Sequence, residues 1–226
     1  MKHRDFVRII TKVCSLQPGS RILETGCGSG RDILYFATSG YACTAIDIND
    51  AWLAQLERAK RVMDRDICLE TLGADFFSLP FADETFDLVF NSGVIEHYDQ
   101  LTRGAVLTEM MRVARKGGYV CCAFPNKEHV LESVWETMIS RTSDHDKYDI
   151  PEQNITPSIL TELHSVGLRP ILLDWIDCYD TISRYPSWLP LRTISFAANA
   201  LLPRIPKRFR RKLGTRVLVV AQRTKQ

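Results

Sequence analysis

The sequence predicts an α/β fold, a doubly wound sheet with helices on both faces. Three observations carry that expectation. Short apolar runs alternate with longer segments of helical periodicity along most of the chain. The first run opens into a glycine-rich turn that starts a helix. Glu24, Asp47 and Asp75 fall at or just past the ends of the first three runs, the edge where open α/β sheets bind ligands.

A leading helix is expected over about residues 3–15, with Phe6, Val7, Ile9, Ile10 and Val13 at helical spacing. The first strand, near 21–25, ends in Glu24-Thr25 and leads into Gly26-Cys27-Gly28-Ser29-Gly30. Glycine lacks a Cβ and tolerates positive φ, so a ligand can approach bare backbone there. Residues 31–37 continue as a helix. Gly26 and Gly28 fit the dinucleotide fingerprint, but Arg31 occupies the place of its third glycine. Glu24 would repel a pyrophosphate and suits a ligand with a positive amino group.

The second strand, near 42–47, ends in Asp47, whose carboxylate can accept both hydroxyl hydrogens of a ribose. NAD and S-adenosylmethionine sites share that device. Asn49 or Asp50 is expected to cap a helix carrying Leu53, Leu56 and Met63 on one face. Strands near 69–73, 86–91 and 118–123 follow, with helices expected between the first four strands. Residues 99–115 read as a helix with Leu107, Met110, Met111 and Ala114 as its buried stripe. Thr156-Pro157 is expected to start the next helix and Gly167 to end it. Strands near 170–178 and 215–222 complete the sheet.

One domain is expected over residues 1–226, its core at about 15–126, 156–178 and 214–223. Two segments stand outside the alternation. Residues 127–155 hold Trp135, Met138, His145, Tyr148 and Pro151; residues 179–213 hold Tyr179, Tyr185, Trp188 and Pro190. Both follow strand ends on the ligand side and read as a cover over the substrate, with packing decoration as the alternative.

Residues 73–97, from Gly73-Ala74-Asp75-Phe76 through Asn91-Ser92-Gly93-Val94-Ile95-Glu96-His97, resemble the signature of class I S-adenosylmethionine-dependent methyltransferases. The nearest likeness is to the small-molecule group that includes quinone and sugar methyltransferases. With residues 23–30 before it and 109–126 after it, the resemblance covers about 15–126 and continues weakly to the end. Arg115-Lys116-Gly117-Gly118 departs from it where the family has proline before the glycine pair.

The resemblance implies a Rossmann-like, seven-stranded sheet with the last strand antiparallel. It implies S-adenosylmethionine as cofactor and S-adenosylhomocysteine as product; no metal site is expected, since no Cys-x-x-Cys pair occurs. Glu24 and the backbone of Gly26, Cys27 and Gly28 would hold the methionine part. Asp47 would hold the ribose, with Ile48 against the adenine. Ala74, Asp75 and Phe76 would line the adenine, Asp75 accepting from its amino group. Asn91, Ser92 and Gly93 would end the fourth strand under the sulfonium. His97 is the candidate general base, and capping a short helix is its alternative role.

The same strand narrows the acceptor. Asn91-Ser92-Gly93-Val94 lacks the proline pair that resembles base-amine methyltransferases, and no Pro-Cys nucleophile occurs. A small-molecule or lipid-like acceptor is expected, not nucleic acid. Three readings compete: an active methyltransferase, a silent binding module on this fold, and a nicotinamide oxidoreductase, which Arg31 disfavours.

No apolar run approaches the roughly 20 residues of a membrane span, and the start shows no signal peptide, so a cytoplasmic protein is expected. The seven cysteines form no Cys-x-x-Cys pair. Cys43, Cys121, Cys122 and Cys178 read as core residues in strands, and Cys27 as a small residue or a modifiable thiol. The net charge of +2 conceals a polarity: after Asp180 there are eleven Lys and Arg and no acid. Residues 194–213 join an apolar stretch to a basic one broken by Pro203 and Pro206. Two readings remain for them: peripheral contact with an anionic membrane at its inner face, or a solvated lid.

Overall fold

A computed structural model describes residues 3–63, 66–130, 152–176 and 201–224. The strands are β1 (Arg21–Thr25), β2 (Ala42–Asp47), β3 (Leu69–Gly73), β4 (Phe86–Ser92), β5 (Ala114–Pro125), β6 (Leu168–Ile176) and β7 (Arg216–Arg223). They form one sheet in the order β3-β2-β1-β4-β5-β7-β6. Only β7 runs antiparallel, pairing with β5 through Cys121↔Val220 and with β6 through Asp174↔Leu218. The Rossmann-like expectation, with its last strand reversed, matches this sheet.

Alternation along the strands builds two cores. Ile22, Leu88 and Phe90 point to one face, under α1 (His3–Val13), α2 (Arg31–Thr38) and α3 (Asp50–Val62). Phe6 meets Phe36 at 6.4 Å and Phe90 at 5.8 Å, ring to ring. Leu23, Val89 and Val120 point to the other face, under α4 (Gln100–Val113) and α5 (Ile159–Ser165). In α4, Val106, Leu107, Met110 and Val113 are fully buried. A last helix, α6 (Lys207–Leu213), precedes β7.

The structure corrects two local expectations. No helix joins β3 to β4: residues 74–85 form turns around Pro80. A tertiary clamp fixes them instead. Arg112 of α4 donates to the carbonyls of Leu79 (3.0 Å) and Phe81 (2.9 Å), and Glu109 accepts from the Leu79 amide at 2.8 Å. Thr156–Ser158 is a turn, and α5 begins only at Ile159; Gly167, at φ +85°, follows its end as expected. Asn49, not Asp50, caps α3, its side chain accepting from the Ala51 amide at 2.9 Å.

Candidate active site

The parallel strands β1, β2 and β4 end together, and their tips build the site. Gly26 adopts φ +65°, and a Cβ there would lie 3.0 Å from Val94 Cγ2. Gly28 is also left-handed, at φ +49°, but a Cβ there would meet nothing within 4 Å. One glycine is thus required by packing against the protein. The other leaves a bare face toward open space.

Asp47 secures this turn from β2. Its Oδ2 accepts the Gly28 amide hydrogen at 2.7 Å and its Oδ1 that of Asn49 at 2.9 Å. Each carboxylate oxygen keeps acceptor capacity for a hydroxyl. Ile48 follows with 72% of its surface exposed, an apolar side chain beside the acid. Asp75 is exposed, one oxygen accepting the Phe77 amide hydrogen at 2.9 Å. Phe76 is buried against Phe77 (4.8 Å) and Tyr98 (5.8 Å), and Gly26 faces its ring.

Glu24 lies beneath the turn, buried, accepting the Ile33 amide hydrogen at 3.2 Å. Burial and then the neighbouring Asp32 charge push its carboxyl well above the usual range. Asp32 is itself 3.6 Å from Arg216, whose Nη1 also donates to Ser92 Oγ at 3.2 Å. That arginine connects β7 to the first turn of α2 and to the tip of β4. The Cys27 thiol is buried, and burial followed by the charges of Glu24 and Asp47 pushes its pKa far up. It is a packed thiol, not a reactive thiolate.

Asn91 lies near the end of β4, as expected. Strand alternation turns its side chain away from Ser92 toward α4, where Nδ2 donates to Met110 Sδ at 3.3 Å and Oδ1 has no partner. Only the backbone of Asn91 belongs to the strand tip. Ser92 and Gly93 do lie there, the Gly93 amide donating to the Ala123 carbonyl at 2.8 Å.

The structure adds Glu96, which the sequence reading passed over in favour of His97. Both lie in a 3₁₀ turn, Ile95–His97. Glu96 is 1% exposed with its Oε2 unpartnered, and its Oε1 lies 3.7 Å from where a Gly93 Cβ would be. Burial pushes its carboxyl up to about 8, with Glu152 adding to the rise and backbone hydrogen bonds and Lys127 opposing it. His97 is half-buried beside it; donor atoms of Glu96, His97 and Glu152 lie within 4.8 Å of one another. Glu152 is already ion-paired with Lys127 at 2.9 Å. The sequence shows an acid just past β4, but neither its burial nor its approach to Glu152.

Trp135, Met138, His145, Tyr148, Pro151, Cys178, Tyr179, Tyr185, Trp188 and Pro190 lie outside the described residues, as does most of the expected cover.

The strand order, with β7 reversed between β5 and β6, is that of a Rossmann-like fold of the methyltransferase type. Residues 23–122 match the family model described as a methyltransferase domain. The chain is 25% identical over 171 residues to a malonyl-[acyl-carrier protein] O-methyltransferase of Pseudescherichia vulneris, covering 75% of this chain and 64% of that protein. It is 26% identical over 195 residues to the 2-methyl-6-phytyl-1,4-hydroquinone methyltransferase of Synechocystis, covering 82% and 58%. It thus spans less than two thirds of either relative. The crystal structure of magnesium protoporphyrin IX methyltransferase from Synechocystis shares the fold at TM-score 0.65 and 15% identity, covering 98% of this chain and 82% of that one. Over residues 23–122 the chain is thus similar to the methyltransferase-domain family, and its fold is the one the solved methyltransferases share.

Proposed function

We propose that the protein transfers a methyl group from S-adenosylmethionine to a small, lipid-like acceptor. The observation that carries this reading is Asp47 bound to the Gly28 amide beside a glycine face open to a ligand. The residues fit the cofactor: Asp47 can accept from ribose hydroxyls, Ile48 and Phe77 can offer apolar surface to a base, and Asp75 can offer an acceptor to its amino group. Glu24 lies beneath the turn, where a ligand's ammonium would restore its ionised form. When bound, the cofactor supplies a methyl group on a good leaving group. The protein's own work is therefore alignment and exclusion of water, which can supply on the order of 7–11 kcal/mol at ideal geometry.

Glu96 is the group for a proton. Burial raises its carboxyl to about 8, so it becomes available to take a proton from a hydroxyl of the acceptor as pH rises through that value. His97, beside it, can orient the carboxylate or relay the proton. Relatives named for malonyl-[acyl-carrier protein] and for 2-methyl-6-phytyl-1,4-hydroquinone support an acceptor that carries acyl or prenyl character.

Calorimetric titration with S-adenosylmethionine, S-adenosylhomocysteine and NAD tests the cofactor: the first two bind and NAD does not. NAD binding alone would return the oxidoreductase reading. Incubation of extract with radiolabelled S-adenosylmethionine then tests transfer, with label expected in the organic phase. Cofactor binding with no label in any fraction would favour the silent binding module.

A further inference from the structure

The C-terminal charge polarity has a structural destination in α6. This helix carries Lys207, Arg208, Arg210, Arg211 and Lys212 in seven residues. The fold neutralises its inner side. Arg210 pairs with Asp174 at 2.7 Å, Arg211 donates to Glu128 Oε1 at 2.7 Å, and Lys207 lies 5.9 Å from the Trp175 ring centroid. Lys212 is 4.0 Å from the same Glu128 carboxylate, which cannot offset two cations. Among the described residues, the five basic residues of this helix therefore face two acids.

The outer side combines charge with apolar surface. Arg208 and Lys212 are one helical turn apart, as are Phe209 and Leu213. Phe209 is 50% exposed, Leu213 37% and nearby Leu201 52%. The Arg208 guanidinium lies 4.8 Å over the Phe209 ring. Phe209 and Leu213 take no part in either core.

The helix is held firmly in this presentation. Asn126 Nδ2 donates to the carbonyls of Arg211 (2.8 Å) and Gly214 (2.7 Å), and the Val130 amide donates to the Lys212 carbonyl at 3.0 Å. Asn126 directly follows β5, so α6 stands at the edge of the sheet that carries the strand tips.

We propose that the outer face of α6 docks the protein on an anionic membrane surface. Phe209 and Leu213 enter the headgroup boundary, while Arg208 and Lys212 pair with lipid phosphates. Exposed aromatic and aliphatic side chains between cations favour a bilayer, which offers both an apolar layer and negative charge. This goes beyond the methyl-transfer reading and stands without it.

The test is co-sedimentation with vesicles of phosphatidylcholine, with and without phosphatidylglycerol. The protein is expected on the anionic vesicles only, with binding falling as salt rises. R208E/K212E removes two surface cations and should weaken partition by at least about 30-fold. Phe209→Ala should weaken it several-fold, and it tests the same face should the charge-reversed variant not fold. R58E/R61E makes the same charge change on α3 and should bind as the parent does. No binding to anionic vesicles at low salt overturns the proposal. So does equal loss in R58E/R61E, or capture of an acidic carrier protein through Arg208 and Lys212 without vesicle binding.

Discussion

The amide of Gly28 donates to Asp47 Oδ2 at 2.7 Å, so the acid that ends β2 holds the turn that ends β1. Two elements far apart in sequence become one binding surface through this bond. Asp47→Ala removes an anionic acceptor and loosens the turn together. Hydrogen bonds to charged groups contribute about 1.5–3 kcal/mol each, so cofactor affinity should fall about 10- to 100-fold, read by calorimetry.

Gly26→Ala and Gly28→Ala should separate stability from binding. Both residues have positive φ, which costs an alanine about 1–2 kcal/mol. Gly26→Ala adds a contact at 3.0 Å with Val94 and should lower Tm further. Gly28→Ala meets no protein atom and should be the more stable of the two, yet its new methyl occupies the open face. It should lose most cofactor binding while Gly26→Ala loses more Tm.

Glu96 links pH to both stability and rate. Its folded pKa, about 8, exceeds the ordinary value of 4.5. Between these values the folded protein holds a proton that the unfolded chain has released, so stability falls as pH rises through the window. Glu96→Gln should flatten that slope and be more stable than the parent at pH 8, seen in denaturant unfolding. The parent's methyl transfer should rise as pH passes about 8, and the variant should lose that limb and at least about 100-fold in rate.

Arg103 and Glu162 form a two-pronged buried pair, Nη2 to Oε1 at 2.7 Å and Nε to Oε2 at 2.8 Å. Burial works to raise the Glu162 carboxyl, but hydrogen bonds from Arg103 and Ser158 outweigh it and hold the pKa below the ordinary range. The pair's stabilisation is present above the unfolded pKa of a glutamate and is lost as pH falls through the depressed folded value. Arg103→Met leaves a buried carboxylate unpaired and should cost about 3–5 kcal/mol at neutral pH, by denaturant unfolding. The penalty should shrink in acid.

The strands were legible because their apolar runs are short and end in glycine or acid; β2 and β3 fall on the expected residues. The acids at the tips were legible for the same reason, each closing a run. The segment between β3 and β4 was not. Its backbone is satisfied by Arg112 and Glu109, some thirty residues away, which local periodicity does not encode. Nor did a motif reveal that Asn91 faces α4, since a side chain's direction depends on strand register. Glu96 needed tertiary information of the same kind, because burial in the folded chain and the charge of Glu152 make it an unusual acid.

β7 enters the sheet between β5 and β6, filling a gap instead of extending an edge. During synthesis β6 therefore emerges well before the strand that joins it to the rest. Until Arg216–Arg223 leaves the ribosome, β5 and β6 both present open hydrogen-bonding edges, the kind that recruits chaperones or neighbouring chains. Completion of the sheet thus waits for β7. A chain cut short before β7 should be bound by holdase chaperones and cleared by proteases.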